Sequence, residues 1–214
     1  RAMSAPGLPE LALGAAAAWA LLALALLALR TRAWGRRTLH APPAGDAAAG
    51  ARYAFTKGML PQAKESVRTH LLSYAAGVVF HTGVFAAFGL LAASLAGVAP
   101  GSAPVRIGSA VAVAGALAGL GLLGKRVASP VLRGLSSPDD YVANLLTTSF
   151  ATLAAVATFL PAAREAWLVA GAALLLYVPV GKIRHCLLFF PARYELGRFL
   201  GRRGTFPPAA GREA

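Results

Sequence analysis

Cysteine, charge and acid are what this chain has least of. One cysteine in 214 residues, Cys186, leaves no partner for an internal disulfide and too few thiolates for a Cys-ligated zinc site or an iron–sulfur cluster. Charged residues make up only 14% of the chain, where soluble domains carry about 25%. Eight residues are Asp or Glu, and those near apolar runs (Glu65, Asp139, Asp140 and Glu165) stand at the ends of the runs. No acid pair therefore lies inside a run to relay protons. Serine, histidine and acid are not grouped as hydrolysis requires, so no catalytic residue is assigned.

Long hydrophobic runs take the place of charge. The chain is 57% hydrophobic with a mean hydropathy of +0.61, the composition of an all-α integral membrane bundle. The formal charge of +13 does not point to nucleic acid, because the basic residues cluster at the ends of runs without interleaved aromatics. Five transmembrane helices are expected at about 11–29, 70–96, 107–124, 141–160 and 166–190, in a single membrane domain over 1–214. The first run is nineteen residues long and is followed, not preceded, by Arg30, Arg32, Arg36 and Arg37, which favours a span over a cleaved signal peptide. Residues 38–69, with Pro42, Pro43, Gly45 and Gly50, are expected to be an aqueous or interfacial loop, and 191–214 a basic cytoplasmic tail.

Orientation follows from lysine and arginine, which collect in short cytoplasmic loops. With the N-terminus outside and the C-terminus inside, eighteen basic residues fall on the inner side, and Arg1, Arg106 and Arg164 on the outer.

Two glycine patterns invite a nucleotide reading. Gly119, Gly121 and Gly124 match G-x-G-x-x-G, and Gly119, Gly124 and Lys125 match most of a Walker A loop, but the run ends an apolar helix with no strand before it, and Arg126 stands where a phosphate loop needs Ser or Thr. Gly115 and Gly119 are better read as a small-xxx-small face for close helix approach. Asp139 and Asp140 mark a helix start before Tyr141.

Three histidines lie in or against the apolar runs. His70 and His81 are in VRTHLLSYAAGVVFHTGVFAAFGLL, and His185 is in VPVGKIRHCLLFF. An imidazole in a membrane span is costly unless it is satisfied, and so marks a candidate site. Two neutral imidazoles on facing helices, with room for a flat ring between them, are what a low-spin b haem requires. Gly77 lies one turn before His81 and Gly181 one turn before His185, giving each histidine a bare patch on its own face. Phe85, Phe88 and Phe189 are placed to pack the ring edges, and Arg68, Lys182 and Arg184 to pair with propionates. His70 is the alternative to His81: it stands eleven residues earlier, about 16 Å away on a continuous helix, and depth counting from Arg68 favours it. His40 falls in the basic loop.

VVFHTG, LLGKR, SPVLRGLSSPDDYVANLL and YVPVGKIRHCLLFFPARY resemble the gamma, or cytochrome b, subunit of respiratory nitrate reductase and the related membrane subunits of heterodisulfide-reductase-type complexes. The resemblance covers about 56–203. It implies that His81 and His185 hold a haem b near the cytoplasmic side. The family's second haem would need ligands where this chain has Leu91 and Trp167, so one haem is expected, and the family's quinone site loses the outer haem beside it. The resemblance further implies a multi-pass protein of a prokaryotic inner membrane, passing electrons between the quinone pool and a cytoplasmic iron–sulfur partner. That partner would dock on the basic segments from Arg30 to Arg68 and from Pro191 onward, which otherwise serve topology and anionic-lipid binding. The chain is then an oxidoreductase subunit and not a complete enzyme. A haem-free membrane scaffold or small transporter subunit is the other reading of the same residues.

Overall fold

The computed structural model describes residues 7–35, 40–63 and 65–208, with backbone alone at 65 and 66. Arg1, Arg36, Arg37, Lys64 and Arg212, all counted in the orientation argument, lie outside the described residues. In chain order the helices are α1 (Leu8–Ala33), α2 (Ala47–Phe55), α3 (Glu65–Arg68), α4 (Leu71–Leu95), α5 (Ala103–Ala128), α6 (Pro130–Gly134), α7 (Pro138–Phe159), α8 (Arg164–Tyr177) and α9 (His185–Arg202). Among the described residues there is no strand. The chain is an all-helical membrane protein. Among the described residues four helices, α1, α4, α5 and α7, are each long and apolar enough to cross a bilayer, and a fifth candidate exists only if the broken pair Pro161–Tyr177 and Lys182–Arg202 counts as one span.

The helices overrun the apolar segments because capping groups sit in the polar flanks. α5 starts after Ser102 with a proline in its first turn. α7 starts after Ser137, whose backbone N–H donates to Asp140 Oδ2 at 2.9 Å, so Asp140 satisfies a donor that no carbonyl can reach. Asp139 and Asp140 do mark a helix start. α4 ends where Gly97 takes a φ of +73°, a conformation that L side chains rarely adopt.

The expected single domain resolves into two compact units. Unit 1 is Arg1–Ala23 with Leu72–Ile183, and unit 2 is Leu24–Leu71 with Arg184–Ala214. Small residues let the helices of unit 1 approach closely. Gly83 of α4 meets Gly115 of α5 backbone to backbone, and Gly119 lies under Phe80 and Thr148. The small-xxx-small reading of Gly115 and Gly119 holds, while nothing lies within 4 Å of where Cβ atoms on Gly121 and Gly124 would stand. Hydroxyls and amides join α5 to α7: Ser109 Oγ donates to Thr158 Oγ1 at 2.9 Å and Asn144 Nδ2 to the Gly119 carbonyl at 3.2 Å. Large apolar side chains such as Leu21, Leu22, Ile107 and Leu117 are left exposed, as in a bundle whose surroundings are lipid.

Span five is not one continuous helix. α8 stops at Tyr177 and α9 starts at His185, with turns and a single 3-10 turn, Lys182–Arg184, between them. Pro179 cannot donate to the carbonyl one turn back. The Val180 and Gly181 N–H groups both turn to the Tyr177 carbonyl, at 3.1 and 2.8 Å, and the Trp19 indole donates to the Leu176 carbonyl at 3.2 Å.

Unit 2 replaces an expected loop and an expected tail with a pair of packed helices, α2 and α9. Asp46 caps α2 by accepting from Ala48 N at 2.7 Å, and α9 runs on through Pro191 to Arg202. Gly50 of α2 lies against Gly197 and Gly201 of α9 with no room for a methyl on any of them. Arg193 crosses the seam, donating to the Ala54 and Gly58 carbonyls, both at 2.7 Å.

Candidate functional site

His81 sits on α4 within unit 1, and its Nδ1 lies 2.7 Å from the Gly77 carbonyl oxygen. A carbonyl oxygen only accepts, so Nδ1 carries the proton, and in the neutral ring the lone pair falls on Nε2. Histidines that ligate metals are held in this way, through the nitrogen that does not bind. The Phe80 ring meets the imidazole edge-on, with centroids 5.9 Å apart. Gly77 is also the bare patch the sequence suggested, for nothing lies within 4 Å of where its Cβ would be.

His185 belongs to unit 2, where it is the exposed first residue of α9. The features expected to cradle it behave differently. Gly181 lies in the break before α9 and not on the same helix as His185, and the Tyr177 ring fills the space above it. Gly181 is a glycine because an aromatic ring packs on it. Arg68 and Arg184, assigned to propionates, are exposed residues of unit 2.

Lys182 has an assignment within unit 1 that the sequence did not reveal: its ammonium pairs with the Asp140 carboxylate. Arg126 Nη1 lies 3.8 Å from the same carboxylate and donates to Ser136 Oγ at 2.6 Å. The Tyr177 hydroxyl bonds Asp139. Asp140 is buried, and a carboxylate is held in such a place only by partners of this kind. The visible signal was the acid pair at a helix start. Its second role, tying α7 to the break after α8, depends on a tertiary contact that spacing does not encode.

His70 is not on the α4 helix with His81. It closes a turn before Leu71, its N–H bonding the Val67 carbonyl at 3.0 Å, and it belongs to unit 2. The 16 Å separation required one continuous helix, so it does not apply. The rings expected at the haem edge divide: Phe88 packs on Phe150 with centroids 4.8 Å apart, Phe189 meets Phe190 edge-on, and Phe85 is exposed. Leu91 and Trp167, at the positions of the second haem's ligands, are 6% and 3% exposed and packed in unit 1. The Trp167 Nε1 has no hydrogen-bond partner among the described residues.

Among the described residues no three of His, Cys, Asp and Glu converge as a metal-ion site, a test that a bis-histidine haem does not meet in any case. Comparison with known proteins finds no matching family model, no similar curated protein and no similar solved structure.

Proposed function

We propose that this chain is a membrane-anchoring b-type cytochrome subunit, with His81 and His185 as the axial ligands of one haem. The observation that carries the reading is the His81 Nδ1 to Gly77 carbonyl bond, 2.7 Å long, which turns Nε2 into the ring's electron-pair donor. Gly77 leaves open space beside the imidazole, as a flat macrocycle needs. The fit is narrower than the sequence suggested, since Gly181 is covered by Tyr177 and the Lys182 ammonium pairs with Asp140. The binding residues reduce to the histidine pair and Gly77, with Arg68 and Arg184 as the propionate partners.

A bound haem supplies one-electron redox chemistry that no side chain here provides. The protein's own part is to fix the tautomer of His81 through the Gly77 carbonyl. Packed side chains at Leu91 and Trp167 support a single haem. On this reading the chain resides in a prokaryotic inner membrane and passes electrons between membrane quinone and a cytoplasmic iron–sulfur partner.

The test is a dithionite-reduced minus oxidised visible spectrum of the chain purified from its native source, with haem quantified per polypeptide. One b-type haem per chain is expected. A folded preparation with no haem would leave the haem-free scaffold in its place.

A further inference from the structure

Charge is divided very unequally between the two units. Unit 2 holds fourteen Lys and Arg against four Asp and Glu, whereas unit 1 holds seven against four. Ten of the thirteen net positive charges therefore belong to the smaller unit.

Along α9, at 100° per residue, the side chains sort into three flanks. Arg193, Gly197 and Gly201 form the seam with α2. Glu195, Arg198 and Arg202 make a polar flank. Phe189, Ala192, Leu196 and Phe199 make an apolar one, and it is uncovered: Phe189 is 37%, Leu196 47% and Phe199 42% exposed. Against that flank the Arg203 guanidinium lies 5.8 Å from the Phe199 ring centroid, while Arg198, on the opposite side of the helix, pairs with Glu195 at 3.3 Å. An arginine laid over an aromatic ring beside an apolar stripe is the side-chain arrangement of a helix in the plane of a membrane interface.

Length argues the same way. Pro161–Tyr177 supplies seventeen residues, at the lower limit of what spans a hydrocarbon core, ~17–25. The four charged residues of α9 between Arg193 and Arg202 would be costly inside a span.

We propose that the paired helices α2 and α9 are an interfacial platform for anionic phospholipid, with the Phe189–Leu196–Phe199 flank dipped among the acyl chains and Arg202 and Arg203, at its border, meeting headgroup phosphates. The occupant is the bilayer and not a protein, because the uncovered flank is apolar while the charges beside it are basic. The chain is already a membrane protein. The lipid contact starts one turn after His185 on the same helix and does not depend on a haem.

The test uses the full chain with Cys186→Ser as background. Single spin labels are attached through Phe189→Cys, Leu196→Cys, Phe199→Cys, Glu195→Cys and Arg202→Cys. Each variant is reconstituted into vesicles of phosphatidylcholine alone or mixed with phosphatidylglycerol. In the mixed vesicles the ratio of oxygen to nickel-chelate accessibility should be about tenfold higher on the apolar flank than on the polar one. Adding Arg202→Gln and Arg203→Gln to the Phe199→Cys protein should lower its ratio several-fold in mixed vesicles and leave it unchanged in phosphatidylcholine. Nickel access on both flanks would place α9 in water, and oxygen access on both would make it a span. Shielding of the apolar flank from both reagents would mean protein covers it. Ratios identical in the two vesicle types would remove the anionic lipid. Each of these four results overturns the proposal.

Discussion

Gly83 on α4 and Gly115 on α5 face each other so closely that a methyl on either would overlap the backbone of the other. The contact lies near the middle of both helices, where lipid supplies no hydrophobic drive for association and close packing has to provide it. Replacing Gly83 or Gly115 with Leu should destabilise the bundle by roughly 1–3 kcal/mol, the usual cost of overpacking. Gly121→Leu, at a position with open space, is the control and should be near neutral. Unfolding in a graded mixture of sodium dodecyl sulfate and mild detergent measures all three.

Asp140 does two jobs, capping α7 through Ser137 and pairing with Lys182 and Arg126. Asp140→Ala loses both and should cost roughly 2–3 kcal/mol, whereas Lys182→Ala loses one partly exposed pair and should cost less than about 1. The same unfolding titration ranks them. Equal effects would show that the cap contributes nothing beyond the ion pair.

Arg193 bonds two carbonyls, Ala54 and Gly58, at the end of α2. Arg193→Ala should weaken the α2–α9 pair by about 2 kcal/mol, and Arg193→Lys should restore little, since an ammonium cannot span two carbonyls as a planar fork does. Hydrogen exchange at residues 50–60 should accelerate while α5 and α7 keep their protection.

Gly77 and Gly181 looked equivalent in the sequence and should not behave alike. Gly77→Leu meets nothing within 4 Å of its Cβ, so the fold should hold while haem content falls several-fold. Gly181→Ala collides with Tyr177 and should act on stability, by roughly 1–3 kcal/mol. Absorbance per chain, set against the unfolding midpoint of each variant, separates the two effects.

The four long helices were legible because nothing but a membrane span tolerates such runs, and their true ends differ by a few residues where turns and caps in the polar flanks extend them, as Ser137 with Asp140 does at the start of α7. The break after Tyr177 was also written in the sequence, as Pro179 and Gly181, but hydropathy averaged across it. The α2 helix hid in a segment rich in proline and glycine. Gly45 and Gly50 were read as loop formers, whereas both are small because α9 and the turn after it press on them. That kind of information resides in the partner helix and not in the local pattern. The histidines were singled out on chemical grounds from the sequence, but the Gly77 carbonyl as the group that orients His81 emerges only in the folded helix.

The most direct test of the central claim is the reduced-minus-oxidised haem spectrum of three single variants, His81→Ala, His185→Ala and His70→Ala, each compared with the unaltered chain at equal protein. Loss of the b-type band in the first two, with His70→Ala unchanged, is the predicted result. A full band in His81→Ala, or loss of the band in His70→Ala, would contradict the assignment.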